Sequence, residues 1–275
     1  RLPMTTRAEL SADQIDTPPY GTNLTCPAAE YTRIHQTSGT TGQRLRWLDT
    51  AASWDWWGRC WAQVYSGAGI TSADRIFFAF SFGPFIGFWS GHEGARHMGA
   101  LIVPGGGMSS EQRLDAIVEN EITALVCTPT YGLHLGEVAR ARSLDLAASS
   151  VRTTVHAGEP GANLPATRRM LEQTWGARAY DHAGATEVGA WGFDCQEQSG
   201  LHLNEGAKKA VWNEDSRKWT VTSTKGDTYE ADAVIGALGQ LNRPFWPDIP
   251  GKDSFKGAIM HSAEWDHSVE LDDKR

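Results

Sequence analysis

The chain has 275 residues, of which 40% are hydrophobic and 21% charged, a composition typical of a soluble globular protein with room for one large domain or two smaller ones. Its net charge of -8 provides no basic surface for a phosphate backbone, so we expect no nucleic-acid partner. The most apolar run, residues 77–89, falls short of the roughly 20 residues that cross a bilayer, and no export leader opens the chain. We therefore predict a cytoplasmic protein with no membrane partner.

The four cysteines lie far apart and include no CxxC pair: Cys26, Cys60, Cys127 and Cys195. This spacing argues against a zinc knuckle and a disulfide scaffold, and it fits a reducing compartment. We expect all four to be buried small hydrophobic residues. Cys195 and His202 could form part of a metal site, but two ligands are too few to define one.

The pattern along the first two thirds of the chain is that of repeated strand–loop–helix units. The first 30 residues are predicted to be loop, because Pro18, Pro19 and Gly21 interrupt them. A Trp-rich helix follows, with Asp49 or Thr50 as its N-cap. Strands are then predicted in IFFAFSF, ALIVP, TALVCTPT, VRTTVH and ARAYD, and helices in HEGARHMG, SSEQRLDAIVENE, residues 133–142 and PATRRMLEQTWG. This alternation predicts an α/β fold with a mostly parallel sheet covered by helices.

The pattern changes near residue 206. Short alternating strands joined by polar turns follow in KKAVWNED, KWTVTSTKGD and TYEADAVIGALG, and no long helix is indicated. We place a domain boundary here, which divides the chain into residues 1–206 and a small β-meander segment in residues 207–275.

The hexapeptide TSGTTG gathers small hydroxyl residues and glycines, at Thr37, Ser38, Gly39, Thr40, Thr41 and Gly42. Glycine lets a phosphate approach the backbone closely, and successive N–H groups with hydroxyls can surround an anion. It is not a Walker loop, because the Lys-Ser/Thr pair is absent. Taken alone, such a hexapeptide is more often a flexible loop.

Companion motifs favour the phosphate interpretation. HQTSGTTGQ, HAGEPG and YDHAGATE occur in this order, each after a predicted strand, and CTPTYGLHLGEVARA and GFDCQEQSGLHLNE accompany them. Together they resemble the adenylate-forming acyl-CoA ligase superfamily, most closely the phenylacetate-CoA ligase type, over residues 1–206. The resemblance implies a partial adenylate-forming N-terminal domain. It also implies ATP-dependent activation of an aryl or apolar carboxylic acid to an acyl-adenylate and then, with CoA, to an acyl-CoA.

The same resemblance assigns roles to individual residues. TSGTTG would cradle the ATP phosphates, and Thr186 would lie near the α-phosphate. Glu187 would help to hold Mg²⁺, a cation that prefers carboxylate and phosphate oxygens. The remaining nucleotide contacts would come from the adenine-lining turn and the strand after it, at Gly158, Glu159, Pro160, Asp181 and Gly184. The acyl group would lie near Phe82, Phe85 and Tyr131, for which core packing is an equally good interpretation.

The chain also departs from the family pattern. Gln43 stands where many relatives have Lys after the phosphate loop, although Arg44 and Arg46 are near, and Ala183 replaces a Tyr expected to stack on adenine. The ribose-binding Asp, the hinge and the small domain with a catalytic Lys do not follow residue 206. We therefore do not expect complete turnover by this chain alone.

The last part of the chain resembles a different family. ALGQLNRPFWPDIPG and FKGAIMHSAEWD are similar to segments of flavin-dependent monooxygenases of the Baeyer–Villiger type, whose FxGxxxHxxxW[PD] fingerprint is met at Phe255, Gly257, His261, Trp265 and Asp266. The resemblance implies that Gly239 lies at the edge of an FAD site and His261 at a link between FAD and NADPH domains. A packed turn explains His261 and Trp265 equally well. Because neither GxGxxG loop is present, we do not expect FAD or NADPH to bind.

We interpret the chain, both of whose ends look cut, as a join between two incomplete enzymes, and we favour a sequence-assembly or gene-fusion artefact over a natural fusion as the cause. The leading hypothesis is an ATP-dependent ligase module. The alternatives are a monooxygenase fragment and a catalytically inactive chimera that binds a nucleotide.

Overall fold

A computed structural model describes residues 6–37, 44–186, 189–198, 200–203, 207–213, 216, 218–223, 226 and 228–231. The α-helices are α1 (Arg7–Asp16), α2 (Ala51–Gly67), α3 (Trp89–Met98), α4 (Ser110–Glu119), α5 (Pro129–Ala141) and α6 (Pro165–Trp175). The strands are β1 (Tyr31–Gln36), β2 (Arg46–Thr50), β3 (Arg75–Phe78), β4 (Leu101–Pro104), β5 (Ala124–Cys127), β6 (Thr153–His156), β7 (Arg178–Ala185), β8 (Gly189–Phe193), β9 (His202–Leu203), β10 (Ala207–Asn213), β11 (Lys218–Ser223) and β12 (Thr228–Ala231).

The main sheet has the strand order β4-β3-β5-β6-β7-β8-β9. Its strands from β4 to β7 are parallel, while β8 and β9 add to the β7 edge in antiparallel orientation. Helices that connect parallel strands must cross over the sheet, and they cover its faces here. The predicted α/β class with a mostly parallel sheet is confirmed.

The core lies on both faces of this sheet, because successive side chains of a strand point to opposite sides. In β3, Ile76 and Phe78 face a cluster formed with α2 and α3, whereas Phe77 faces a second cluster formed with α4, α5 and α6. Trp61 on the first face and Trp175 on the second are almost completely buried. Full burial of a large apolar side chain stabilises the fold by roughly 1.5–3 kcal/mol.

The Trp-rich helix α2 begins as predicted. Thr50 is its N-cap, and the Thr50 hydroxyl accepts a hydrogen bond from the Ser53 amide at 3.1 Å. Trp54, Trp57 and Trp61 recur at helical spacing and face the core.

The prediction of loop throughout the first 30 residues was wrong, because α1 occupies residues 7–16. A capping box starts this helix: the Thr6 hydroxyl accepts from the Glu9 amide at 3.3 Å, and the Glu9 carboxylate accepts from the Thr6 amide at 2.6 Å. Pro18 and Pro19 lie beyond the C-terminal end of α1, where prolines mark the end of a helix. The same Pro and Gly residues that indicated a loop therefore mark a helix stop.

Two further expectations need correction. Helix α5 begins at Pro129, four residues before the predicted start, because proline is well tolerated at the first position of a helix. Cys60 and Cys127 are buried as expected, but Cys26 and Cys195 are only partly buried. None of the four, all of which lie in the described part of the chain, forms a disulfide bond.

Two smaller sheets accompany the main one. Strands β1 and β2 form an antiparallel pair, and β10, β11 and β12 form a three-stranded antiparallel sheet. The predicted small β-meander is thereby confirmed, while residues 232–275 lie outside the described part of the chain. The domain boundary near residue 206 stays a prediction. Of the helices that the structure describes, none combines the length and apolar character needed to cross a membrane.

Candidate functional site

The carboxyl ends of β5 and β6 lie side by side at one edge of the main sheet, next to Asp181 in the middle of β7. Cys127 pairs with His156, and His156 pairs with Asp181, so the segments that follow these positions emerge together. In open α/β sheets, ligands bind outside the carboxyl ends of the strands. This edge is therefore the first place to look for a site.

The Gly158-Glu159-Pro160 turn follows β6 directly at this edge. Gly158 has a φ of +93°, a left-handed conformation that favours glycine. The Glu159 Oε1 atom accepts a hydrogen bond from the Thr130 amide at 2.9 Å and a second, short one from the Thr130 hydroxyl. The turn predicted to line adenine is thus joined to the first turn of α5.

Asp181 lies in the middle of β7, at the last position that pairs with β6, and is part of a buried carboxylate pair. Its side chain is only 6% exposed, and its backbone amide donates to Asp194 Oδ2 at 3.1 Å. Arg168 of α6 forms a short ion pair with the same Asp194 oxygen. Burial raises the pKa of Asp181 to about 6, and the Asp194 charge adds to this effect, while Arg168 opposes it. The predicted nucleotide residue is therefore a carboxyl group that titrates close to neutral pH.

His182, the next residue of β7, is a functional candidate that the sequence interpretation missed. Its Nδ1 atom lies 2.8 Å from the Gly192 carbonyl oxygen and must donate to it, which leaves Nε2 as the acceptor. Burial lowers the pKa of His182 to about 4, so the ring is neutral at pH 7. A Cβ atom on Gly184 would lie 2.9 Å from His182 Nε2, so the space beside this ring requires glycine. Only the period-2 alternation along β7 could have indicated that His182 faces α2.

The base of the TSGTTG loop is closed by Thr37. Its hydroxyl oxygen accepts from the Leu45 amide and from Arg7 Nη2, each at 3.0 Å, and its own amide donates to the Leu45 carbonyl at 3.0 Å. Gln36 also donates its amide to the Pro84 carbonyl at 2.7 Å, which ties the hairpin to the loop after β3. The remaining predicted loop residues, Ser38, Gly39, Thr40, Thr41 and Gly42, lie outside the described residues.

The arginine that contacts the base of this loop is Arg7, and not Arg44 or Arg46, which the sequence suggested. Arg7 of α1 brings its guanidinium to Thr37, whereas Arg46 donates to the Pro19 carbonyl at 3.1 Å. Arg7 therefore joins Arg44 as a candidate for the charge that Gln43 does not provide. Because this contact joins residues 30 positions apart, local sequence patterns could not reveal it.

The three aromatic residues predicted to line an acyl pocket have different surroundings. Phe82 packs with Trp89 at a ring-centroid distance of 4.6 Å and belongs to the α2–α3 side of the sheet. Tyr131 belongs to the α4–α5 side, where its hydroxyl lies 3.0 Å from Ser110 Oγ and Arg113 stacks over its ring. Phe85 is half-buried, and a Cβ atom added to Gly83 would lie 3.7 Å from its ring. Their assignment to one pocket stays a prediction.

The predicted metal site is described only in part. Thr186 is half-buried in the turn after β7, while Glu187, the predicted Mg²⁺ ligand, lies outside the described residues. Within the described part of the chain, no three His, Cys, Asp or Glu side chains are grouped to hold a metal. His202 instead stacks on Phe193 at 5.5 Å.

The residues of the predicted monooxygenase fingerprint lie outside the described part of the chain, in the segment from residue 232: Gly239, Phe255, Gly257, His261, Trp265 and Asp266.

Comparison with solved structures supports the fold. The chain superposes on an open conformation of 2-hydroxyisobutyryl-CoA ligase, crystallised with 2-HIB-AMP and CoA, with a TM-score of 0.72 and 22% identity. The match covers 85% of this chain and 53% of that one. The anthranilate CoA ligase AuaEII, in complex with anthranoyl-AMP, gives a TM-score of 0.51 and 17% identity over 70% of this chain and 39% of that one. The main sheet and its helices thus have the fold of the N-terminal domain of CoA ligases.

Comparison of sequences identifies two kinds of relative, although no protein-family model matches the chain. Phenylacetate-coenzyme A ligase of Escherichia coli K12 is 31% identical over 189 residues, which are 68% of this chain and 42% of the ligase. A Baeyer–Villiger monooxygenase of Streptomyces coelicolor is 39% identical over 75 residues, which are 27% of this chain and 14% of the monooxygenase. The chain therefore spans less than half the length of either relative. Both predicted resemblances are confirmed: the chain is similar to phenylacetate-CoA ligases over about two-thirds of its length and to Baeyer–Villiger monooxygenases over about a quarter.

Proposed function

We propose that residues 1–206 bind ATP and an aryl or apolar carboxylic acid as part of an acid–CoA ligase. The observation that carries this proposal is the arrangement at the carboxyl edge of the sheet. There the Gly158 turn follows β6, and the buried Asp181 and Gly184 lie on the neighbouring strand β7, in a fold that solved CoA ligases share. The similarity to curated phenylacetate-CoA ligases supports the same substrate class.

The proposed reaction begins with acyl-adenylate formation. The carboxylate of the acid attacks the α-phosphate of ATP, the bond to the β-phosphate oxygen breaks, and pyrophosphate leaves. The thiol of CoA then attacks the acyl carbonyl carbon, and AMP leaves. The gain in rate comes mainly from holding the reactants in place and from stabilising the charge at the α-phosphate.

The residues of this chain would divide that work among three segments. The TSGTTG loop, held at its base by Thr37, would surround the ATP phosphates, and the Gly158 turn would line the adenine. Thr186 would donate to the α-phosphate, and Glu187 would offer a carboxylate to Mg²⁺. Tyr131 would face the acid. CoA would enter only in the second step.

The decisive experiment is equilibrium binding of Mg-ATP to the full chain, followed by measurement of pyrophosphate release with phenylacetate. We expect saturable binding that Glu187→Gln weakens by about tenfold, the usual effect of losing one charge-assisted contact of about 1.4 kcal/mol. Glu119→Gln, an exposed carboxylate at the end of α4, is the matched control and should leave binding unchanged. Undiminished binding in Glu187→Gln contradicts the proposal. Binding without pyrophosphate release would instead favour an inactive nucleotide-binding chimera.

A second candidate function is that of a monooxygenase fragment, supported by the 39% identity over 75 residues. If residues 207–275 bind flavin by themselves, the purified chain will be yellow and show flavin absorbance. We expect a colourless protein, because the sequence has neither GxGxxG loop.

A further inference from the structure

Two loops at the carboxyl edge of the main sheet are bridged by one carboxylate. The first is the start of α5, where Thr128 is the N-cap, Pro129 the first helical residue and Thr130 the second. The second is the turn after β6 that contains Glu159. Glu159 Oε1 accepts from both the amide and the hydroxyl of Thr130.

This bridge provides a hydrogen-bond acceptor for a backbone N–H group that has no acceptor within α5. The first N–H groups of a helix have no partner inside the helix, and the Thr130 amide is one of them. Thr128 already accepts from the Tyr131 amide at 3.3 Å, so the Thr130 amide is left for an acceptor from outside. A carboxylate is well suited to this position, because the N-terminus of a helix carries partial positive charge.

The backbone around Glu159 is packed closely on the same turn of α5. A Cβ atom on Gly158 would lie 3.5 Å from Thr128 Cγ2, and one on Gly161 would lie 2.5 Å from Pro129 Cβ. The far end of this segment is held as well, since Arg168 Nε donates to the Ala162 carbonyl at 2.6 Å. The segment from Gly158 to Ala162 is therefore packed against the start of α5 and held by α6 at its far end.

Tyr131, the next residue of α5, gives this linkage its functional meaning. The Gly158 turn is assigned to the adenine of ATP and Tyr131 to the acid, which are the two ends of an acyl-adenylate. Glu159 bonds to Thr130, the residue before Tyr131, so its effect on the acid would pass through Thr130.

We propose that Glu159 is a positioning residue that couples the two substrates: its bridge to Thr130 fixes the adenine-lining turn relative to the helix start that carries Tyr131. Binding of one substrate orders this shared unit, and the other substrate then binds more tightly. This inference rests on the proposed function.

The test measures the affinity of the full chain for α,β-methylene-ATP with and without saturating phenylacetate. We expect phenylacetate to increase the affinity in the wild-type chain by about fivefold or more, which is the lower end of typical couplings between sites. Glu159→Ala should abolish this increase. Glu159→Gln should restore most of it, because the amide oxygen can still accept from Thr130. Glu137→Ala, an exposed carboxylate on α5, is the matched control and should behave as wild type.

A double-mutant cycle shows whether Glu159 acts through Thr130. Thr130→Val removes one donor to Glu159, whereas Thr130→Ser keeps it. If the bridge carries the coupling, Thr130→Val added to Glu159→Ala has no further effect, although it reduces the coupling by itself. Additive effects, or loss of the coupling in Glu159→Gln with no effect of Thr130→Val, would indicate direct contact of Glu159 with a substrate and overturn the proposal.

Amide hydrogen exchange at Thr130 tests the bridge without any ligand. We expect exchange about tenfold faster in Glu159→Ala than in wild type, the effect of losing a cap worth about 1.4 kcal/mol, with protection recovered in Glu159→Gln. Unchanged exchange overturns the bridge. A wild-type chain that binds no ATP analogue overturns the proposed function and the coupling with it, whereas unchanged coupling in Glu159→Ala overturns the coupling alone.

Discussion

The buried carboxyl of Asp181 should make the stability of the protein depend on pH in a way that Asp181→Asn removes. The pKa of this group rises from 3.8 to about 6 in the folded chain, first because of burial and then because of the Asp194 charge. Between these two values the folded state binds more protons than the unfolded state. Stability is therefore lost as the pH rises from about 4 to above 6.

The size of the effect follows from the shift. A shift of about 2 pKa units corresponds to roughly 3 kcal/mol, since each unit is 1.36 kcal/mol. Screening by solvent lowers the expected value to about 1–2 kcal/mol. Asparagine has nearly the same shape and no charge, so Asp181→Asn should gain about 1–2 kcal/mol over wild type between pH 4 and pH 7.

Urea unfolding at several pH values measures this difference directly. The free energy of unfolding of Asp181→Asn minus that of wild type should increase from pH 4 to pH 7, and titrating groups that do not interact with Asp181 cancel in the subtraction. Asp16→Asn, at an exposed position at the end of α1, is the control for removal of a surface carboxylate. A constant difference for Asp181→Asn would refute the reasoning about the buried carboxylate pair.

Three other predictions concern the close contact at Gly184, the buried carboxylate of Asp74 and the buried thiol of Cys127. Gly184→Ala should lower the free energy of unfolding by about 1–3 kcal/mol in urea melts, because its Cβ would meet His182 Nε2 at 2.9 Å and the Gly189 carbonyl oxygen at 3.0 Å. Asp74→Asn should cost about 1–3 kcal/mol at pH 7 and progressively less as the pH falls below 3.8. Burial raises the pKa of Asp74, but hydrogen bonds from Thr123 and the Thr71 amide and the charge of Arg152 lower it overall. The stability that the Asp74 carboxylate contributes is therefore present above pH 3.8 and is lost as the pH falls through the lower pKa of the folded state. Thiol labelling of the native protein should modify Cys26 before Cys127, because Cys127 is fully buried and burial raises its pKa.

Each of these three has a result that would contradict it. Wild-type stability in Gly184→Ala would mean that the strand moves readily away from His182. A loss in Asp74→Asn that does not decrease as the pH falls below 3.8 would point to packing instead of charge. Equal labelling rates for the two thiols would mean that β5 opens often enough to expose the Cys127 thiol as readily as the Cys26 thiol.

Local patterns predicted most of the elements of the main sheet, and the reason is physical. Turns rich in Gly and Pro and an alternation of strand and helix periods are properties of short segments, and β3, α4 and β6 form where such signals agree. Helix α1 was missed because the Pro and Gly residues after it outweighed the capping box of Thr6 and Glu9. Its contacts with the β1–β2 hairpin, such as Arg7 with Thr37, are long-range.

The candidate site was predicted as a set of motifs but not as a geometry. The motif containing Gly158 lies in a turn, as predicted, and Gly158 has a left-handed conformation there. The bridge between Glu159 and Thr130, by contrast, joins residues 29 positions apart. The neutral state of His182 likewise depends on burial against Trp61, whose ring centroid lies 4.3 Å away. Such properties arise only when distant segments pack together, so no pattern within one motif contains them.

The central claim, that this chain binds ATP at the carboxyl edge of the main sheet, is tested most directly by hydrogen exchange of the full chain with and without Mg-ATP. The account predicts that ATP slows exchange in the segments around residues 37–45, 157–162 and 181–187 and leaves residues 207–231 unchanged. Slower exchange confined to the segment after residue 206, or no change anywhere at saturating Mg-ATP, would contradict it.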